Sequence, residues 1–235
     1  MTDKASAAQD KELHGQALVE SLQRRFRTAM VDVTVGDRTF RILKPANPDD
    51  LIREEDFVKD ERLPYWADIW PSSTILAAKL LETNGAGATA VELGCGVGLC
   101  TMAARIAGFE VLSTDYYEDS LDFTRANAFT NLGSEARTRL LDWRHLPTDV
   151  GRYDLAFASD VLYEEEYAKL LPSIFDRTLA PRGSALVADP GRVAAPLFVE
   201  ACARAGLDAT KVETRPFESG EVRQRIDIYR ITRSP

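Results

Sequence analysis

Thr89-Ala90-Val91-Glu92-Leu93-Gly94-Cys95-Gly96-Val97-Gly98 begins as a short extended run and ends in a turn where alternate residues carry no Cβ. Backbone in such a turn can come close to a ligand. Residues 99–107 have the apolar content and length of a helix, and Gly108 stands where a left-handed residue would close it. Glu110-Val111-Leu112-Ser113-Thr114 then reads as a second strand, with Asp115 at its carboxyl end. Together these segments make half of a nucleotide-binding βαβ unit. Such units hold their ligand beyond the carboxyl ends of parallel strands, the terminal acid directed at ribose hydroxyls.

The glycine spacing narrows the choice of nucleotide. A dinucleotide turn follows G-x-G-x-x-G, with a pyrophosphate at the helix N-terminus. Here the glycines stand at 94, 96 and 98, so the third comes one residue early. Glu92 lies two residues ahead of the first glycine, where its carboxylate would repel a phosphate and suit a cation. A glycine turn without a ligand, an NAD-dependent oxidoreductase and a non-catalytic binding module are the rival readings. E-x-G-x-G-x-G followed by an acid at the next strand end resembles the class I S-adenosylmethionine-dependent methyltransferases, whose cofactor carries an ammonium and a sulfonium but no phosphate. The resemblance implies S-adenosyl-L-methionine as cofactor. It places the methionine end against Glu92 and the backbone of Gly94, Cys95, Gly96 and Gly98, and the ribose on Asp115. Tyr116, next in the chain, would lie against the adenine.

Further segments sharpen the resemblance toward the protein lysine methyltransferase branch, the group that includes the enzyme acting on the electron transfer flavoprotein beta subunit. Pro64-Tyr65-Trp66-Ala67-Asp68-Ile69-Trp70-Pro71 resembles the segment that precedes the core in that branch. There the second tryptophan borders the methionine end, which assigns Trp70; Trp66 reads equally well as core. Ser72 and Ser73 are placed to start and cap a helix over 74–81. A helix over 116–131 carries Asn127 and Asn131 at the branch's spacing, and a strand over 137–141 leads to Asp142-Trp143. By resemblance, Asp142 accepts from the adenine amino group and Trp143 covers the ring.

The strand over 153–158 enters Ser159-Asp160-Val161-Leu162-Tyr163, which resembles the branch's D-x-x-Y signature. The resemblance makes Asp160 and Tyr163 the catalytic pair between methyl donor and incoming amine, with Ser159 among the cofactor contacts. Asp160 as a cap of the next helix is the structural alternative. Glu164-Glu165-Glu166 suit a helix dipole or a basic substrate surface. After a helix over 167–179 and a break at 180–183, a fifth strand over 184–188 ends in Asp189-Pro190-Gly191-Arg192, which resembles the bacterial relatives of the flavoprotein-directed enzyme. Arg192 would contact substrate or pair with local acids. A last helix over 194–205 and a hairpin of strands, 210–214 and 222–231, would complete the sheet. The expected fold is therefore α/β: a Rossmann-like three-layer sandwich around a seven-stranded, mostly parallel sheet with one antiparallel strand.

Composition sets looser bounds. At 235 residues and 45% hydrophobic content the chain can form one sizeable α/β domain with an appendage, or at most two small ones. A net charge of −8 argues against a nucleic-acid partner. Cys95, Cys100 and Cys202 have neither staple-like nor metal-ligand spacing, so no metal is expected, and reduced thiols fit a cytoplasmic location. No run suggests a signal peptide or a membrane span. Residues 1–9 are polar and small and are read as disordered; 11–27 read as an amphipathic helix with Leu13, Ala17, Leu18, Leu22 and Phe26 inward. Its basic end, Arg24-Arg25-Phe26-Arg27, is a solvated helix end or a small contact patch. Strands at 30–35 and 39–43 flank Gly36-Asp37 in a hairpin. The organisation expected is an N-terminal helix and hairpin in 1–60 ahead of a methyltransferase domain in 61–235. The implied partner is a lysine-bearing protein or a small amine, and the chain is expected to be a monomer.

Overall fold

The computed structural model describes residues 13–52 and 63–234. The reading of 1–9 as disordered, residues 11 and 12 of the expected 11–27 helix and the boundary between 60 and 61 lie outside the described residues; the helix itself spans Gly15–Arg25, shorter than expected at both ends.

The expected sheet is present. β3 (Thr89–Leu93), β4 (Glu110–Asp115), β5 (Arg137–Leu140), β6 (Tyr153–Ser159), β7 (Leu179–Asp189), β8 (Leu207–Ser219) and β9 (Val222–Arg233) form seven strands in the order β5-β4-β3-β6-β7-β9-β8. β9 alone runs against its neighbours. The chain reverses its direction of travel across the sheet between β3 and β6, which opens a crevice at the carboxyl ends of those strands.

Alternation along the strands supplies two cores. Ala90, Leu155 and Phe157 face the layer of α2 (Pro71–Leu81), α3 (Leu99–Ile106) and α4 (Glu118–Leu132), where Leu76, Met102 and Phe123 are fully buried. Val91, Leu93, Ala156 and Ala158 face α5 (Glu165–Thr178) and α6 (Ala195–Arg204), against Phe175 and Phe198. This is the period-two consequence of strand geometry, with both faces covered as parallel sheets require.

In front of the sheet stand α1 (Gly15–Arg25) and a hairpin of β1 (Thr28–Val35) and β2 (Arg38–Pro45). α1 packs on α4 through Leu18, Val19 and Leu22. Ala17 is exposed; the buried stripe takes Val19 instead, a rotation that the larger apolar side chain decides. Asn127 and Asn131 bind the hairpin to the core. The Asn127 carboxamide accepts from Leu43 N at 2.7 Å and donates to the carbonyls of Leu43 and Val97, each at 2.9 Å. Asn131 pairs in the same manner with the backbone of Arg41. Asn127→Ala strands three buried backbone groups and should cost about 2 to 4 kcal/mol. A lowered denaturant midpoint at unchanged slope checks this, and an unaltered midpoint refutes it.

Three local expectations are corrected. The serine pair does not cap α2: Pro71 opens the helix after Trp70, no side chain caps it, and Ser73 Oγ instead donates to Trp70 O at 2.7 Å. α4 starts at Glu118 because the Asp115 carboxylate accepts from Tyr117 N at 3.1 Å and holds Tyr116 and Tyr117 in the loop. Residues 180–183 are no break; β7 runs through them, and the register against β6 shifts from Tyr153/Leu179 to Leu155/Ser184. A Cβ on Gly183 would stand 2.6 Å from Tyr153 O, so only glycine fits that irregularity.

Candidate active site

Three successive strand ends each deliver an acid to one open cavity of about 1050 Å³: Glu92 from β3, Asp115 from β4 and Asp142 just after β5. Its floor is the glycine turn, with Gly94, Cys95 and Gly96 in the lining. Gly98 is not there. It takes φ +87° at the head of α3, and a Cβ on it would meet the Thr124 side chain at 3.0 Å. Its assignment as a cofactor contact is corrected on that ground: Gly98 lets α3 pack on α4.

Asp115 braces the turn. One carboxylate oxygen accepts from Gly96 N at 3.0 Å and the other from Tyr117 N, so the acid is fixed at the turn while still lining the cavity. Burial pushes its pKa above the ordinary value against those hydrogen bonds. Glu92 is buried more completely. Thr101 Oγ1 donates to it, and Ser113 Oγ lies 2.6 Å from that hydroxyl. Desolvation, with Asp115 nearby, raises the Glu92 carboxyl to about 8.

Asp142 behaves oppositely. Burial alone would raise its pKa, but Arg144 encloses the carboxylate with its backbone N–H and Nε at 3.0 Å and Nη2 at 2.9 Å, holding it far below the usual range. The same guanidinium stands 5.3 Å from the centre of the Tyr116 ring. Arg144 was not singled out in the sequence, although its place two residues after Asp142 was the available signal. Trp143 closes this end, edge-on to Tyr167 of α5 with centroids 5.4 Å apart.

From Tyr167 onward the wall of the cavity is aromatic. Tyr163 stacks edge-on with Tyr65 at 5.1 Å and with Tyr167 at 5.2 Å, and Tyr65 meets Trp70 at 6.0 Å. Trp70 Nε1 donates to Tyr65 O at 2.9 Å, which fixes the indole. Trp66 is buried against Phe123 and Tyr117 and also borders the cavity. Tyr65 and Tyr167 went unassigned in the sequence, because only the fold brings them beside Tyr163.

Asp160 lies beneath these rings. It is 6% exposed and has a left-handed backbone at φ +56°. It does not cap α5, whose capping position is Glu164. One carboxylate oxygen accepts from Arg192 Nε at 2.9 Å and Nη2 at 2.7 Å, and the other from Ser72 Oγ at 3.1 Å. Of the two readings of Arg192, pairing with a local acid is the one seen. Ser159 also lines the cavity, within 4.0 Å of the Cys100 sulfur. Burial pushes the Cys95 and Cys100 thiols well above their ordinary pKa, so both stay protonated. Apart from Gly98, every residue assigned from the sequence to cofactor or catalysis lines this one cavity.

Residues 55–196 match a family model described as lysine methyltransferase. The electron transfer flavoprotein beta subunit lysine methyltransferase of Danio rerio is 30% identical over 133 residues, covering 55% of this chain and 51% of that protein. Protein N-lysine methyltransferase METTL21A of Mus musculus is 31% identical over 118 residues, covering 46% and 53%. The chain thus spans about half the length of the curated relatives it matches. Among solved structures, the ribosomal protein L11 methylase of Lactobacillus delbrueckii subsp. bulgaricus superposes with TM-score 0.54 at 23% identity, covering 69% of this chain and 79% of that one. The magnesium protoporphyrin IX methyltransferase of Synechocystis PCC 6803 with bound SAM gives 0.55 at 18%, covering 78% and 86%. These likenesses establish the fold. With the family model matched over more than half of its residues, the chain belongs to the lysine methyltransferase family.

Proposed function

We propose that this chain is an S-adenosylmethionine-dependent methyltransferase that methylates the side-chain nitrogen of a protein lysine. The observation that carries the reading is the acidic lining of the cavity. Asp68, Glu92, Asp115, Asp142, Asp160 and Glu164 line it against a single base among the described residues, Arg144, which is itself held by Asp142. A pyrophosphate would meet acids and, among the described residues, only the Asp142-held Arg144 as a base, whereas a phosphate-free nucleoside bearing an ammonium and a sulfonium fits the donor set. Glu92 and the backbone of the glycine turn would hold the methionine end, Asp115 the ribose, and Tyr116, Asp142 and Trp143 the adenine.

When bound, S-adenosylmethionine supplies a methyl group on positively charged sulfur; the chain's own residues position the acceptor and exclude water. A lysine of ordinary pKa is about one part in two thousand neutral at pH 7, so the site must favour loss of its proton. The rings of Tyr65, Trp70 and Tyr163 flank the nitrogen's path; a lysine side chain lying against them would give up water, which favours the neutral amine. Desolvation of the phenol, with Tyr167 beside it, raises the Tyr163 hydroxyl above its usual range although 39% of the residue is exposed, so at neutral pH it is a hydrogen-bonding wall rather than a base. Glu164, Glu165 and Glu166 are exposed at the start of α5, beside this end of the cavity, and suit a basic protein surface.

Labelled methyl donor incubated with the protein and a matching cell lysate tests the reading. The expected label is in acid-precipitated protein and is recovered as methyllysine after hydrolysis. Label confined to the protein-free fraction would move the acceptor class to small amines, and no label would end the reading. On the cofactor side, Asp115→Ala should weaken S-adenosylhomocysteine binding about ten- to a hundredfold, since it removes a charge-assisted hydrogen bond and the brace on Gly96. Unchanged affinity by calorimetry would refute the assignment.

A further inference from the structure

We infer that Arg192 is a positioning residue that governs the protonation of the acceptor amine, acting through Asp160. The inference rests on the proposed lysine methylation and concerns how the site disposes of the acceptor's proton.

Arg192 is 32 residues from Asp160 in the chain, and a dedicated turn brings it back. Asp189, at the end of β7 and fully buried, accepts from Gly191 N and Arg192 N, each at 2.8 Å, and Gly191 turns with φ +86°. The sequence Asp189-Pro190-Gly191-Arg192 is therefore an Asp-capped turn that aims one guanidinium at the carboxyl end of β6. There Nε and Nη2 converge on a single oxygen of Asp160, and the guanidinium stands 5.7 Å from the centre of the Trp70 ring. Ser72 Oγ takes the other oxygen. Asp160 lines the cavity and Arg192 does not.

The consequence is electrostatic. A buried, unpaired carboxylate beside an amine holds that amine as ammonium, which has no lone pair to attack with. Paired with Arg192, Asp160 still offers an oxygen for orientation but carries almost no net charge. The ammonium then sheds its proton to solvent. The neutral amine's lone pair forms the new carbon–nitrogen bond as the methyl–sulfur bond breaks, and that electron pair goes to sulfur. The methylated nitrogen leaves as a cation. The other titratable groups around this end do not replace Arg192. The Tyr163 phenol, edge-on to Tyr167, is held above its usual range and stays protonated, Asp68 is held by Lys44 at 2.8 Å, and Glu164 lies toward solvent. Glu92 and Cys100 lie at the floor under the glycine turn and α3, and Asp189 stands behind the turn it caps.

Arg192→Gln keeps much of the shape and removes the charge, while Arg192→Lys keeps the charge. Two readouts are needed. In the first, binding of n-butylammonium to the protein without methyl donor is followed by NMR line broadening of the probe; Arg192→Gln should bind it about tenfold or more tighter than wild type, and Arg192→Lys within about threefold of wild type. In the second, initial rates of transfer to the protein fraction of a lysate are measured against pH. The acidic limb for Arg192→Gln should move up by on the order of one unit, an amount limited by the partial exposure of the guanidinium, and Arg192→Lys should restore it. Equal butylammonium affinity in wild type and Arg192→Gln, or an unmoved limb, overturns the inference. A wild-type protein that transfers no methyl at all overturns the proposed function itself, an outcome separable from the binding result.

Discussion

Asp160→Ala should lose methyl transfer by about a hundredfold or more while S-adenosylhomocysteine affinity stays within about threefold of wild type. The two readouts separate because Asp160 is engaged by Arg192 and Ser72, whereas Asp115 braces the glycine turn and Glu92 accepts from Thr101. Removing the carboxylate does three things at the acceptor end. It deletes a buried carboxylate that can orient the nitrogen, and misplacing a nucleophile by about an ångström is enough for a hundredfold loss. It leaves the Arg192 guanidinium without its partner, so a cationic acceptor approaches a bare positive charge instead of a neutralised pair. It also frees Ser72 Oγ, which donates to Asp160 at 3.1 Å, and puts alanine in a left-handed backbone at φ +56°. The stability cost should be modest, because Arg192 is 36% exposed and can turn to water. A double variant, Asp160→Ala with Arg192→Ala, should recover acceptor binding but not turnover. Transfer at the wild-type rate in Asp160→Ala would make Asp160 a residue that only shapes the loop.

The sequence made the glycine turn and the strand ends legible because each depends on local chemistry. Residues 94 and 96 need positive φ, and Glu92, Asp115 and Asp142 mark the strand ends where α/β ligands bind. Gly98 was misread because a glycine required by a neighbouring helix looks the same, in one dimension, as a glycine required by a ligand; only the place of Thr124 distinguishes them. The apparent break at 180–183 has the same origin. Pro181-Arg182-Gly183 carries turn residues, yet β6 on one side absorbs the irregularity as a register shift. The Asp160 to Arg192 pair was only half visible. Both motifs could be singled out, but their meeting depends on β6 and β7 being neighbours, which the sequence pattern leaves to the sheet order. Arg144, Tyr65 and Tyr167 were missed for the converse reason: their residue types carry no signal until packing sets them around the cavity.

Glu92 yields the second large effect, a pH dependence of cofactor affinity with a definite sign. In the ligand-free protein its carboxyl titrates near 8, raised mainly by desolvation. A group whose folded pKa lies above its unfolded one adds stability that is whole below about 4.5 and is lost as pH rises through the folded value, here about 8. The ligand-free protein should therefore become less stable across that window. Affinity should run the other way. The ammonium of the methionine end meets an effective partner only when Glu92 is ionised, so binding below pH 8 must expel the Glu92 proton. Affinity for S-adenosylhomocysteine should then fall close to tenfold for each pH unit below about 7, and calorimetry at pH 7 in buffers of different ionisation heat should show nearly one proton released. Above about pH 8 the ligand's own α-ammonium begins to discharge, so affinity should peak there. Asp115, whose pKa burial also raises, would add to the same limb, and Glu92→Gln separates the two. The amide can still accept from Thr101, so the site keeps its shape, but most of the acidic limb and of the proton release should vanish while the alkaline fall remains. Proton release that persists unchanged in Glu92→Gln would mean that Glu92 is already ionised in the free protein, or that the ammonium lies elsewhere.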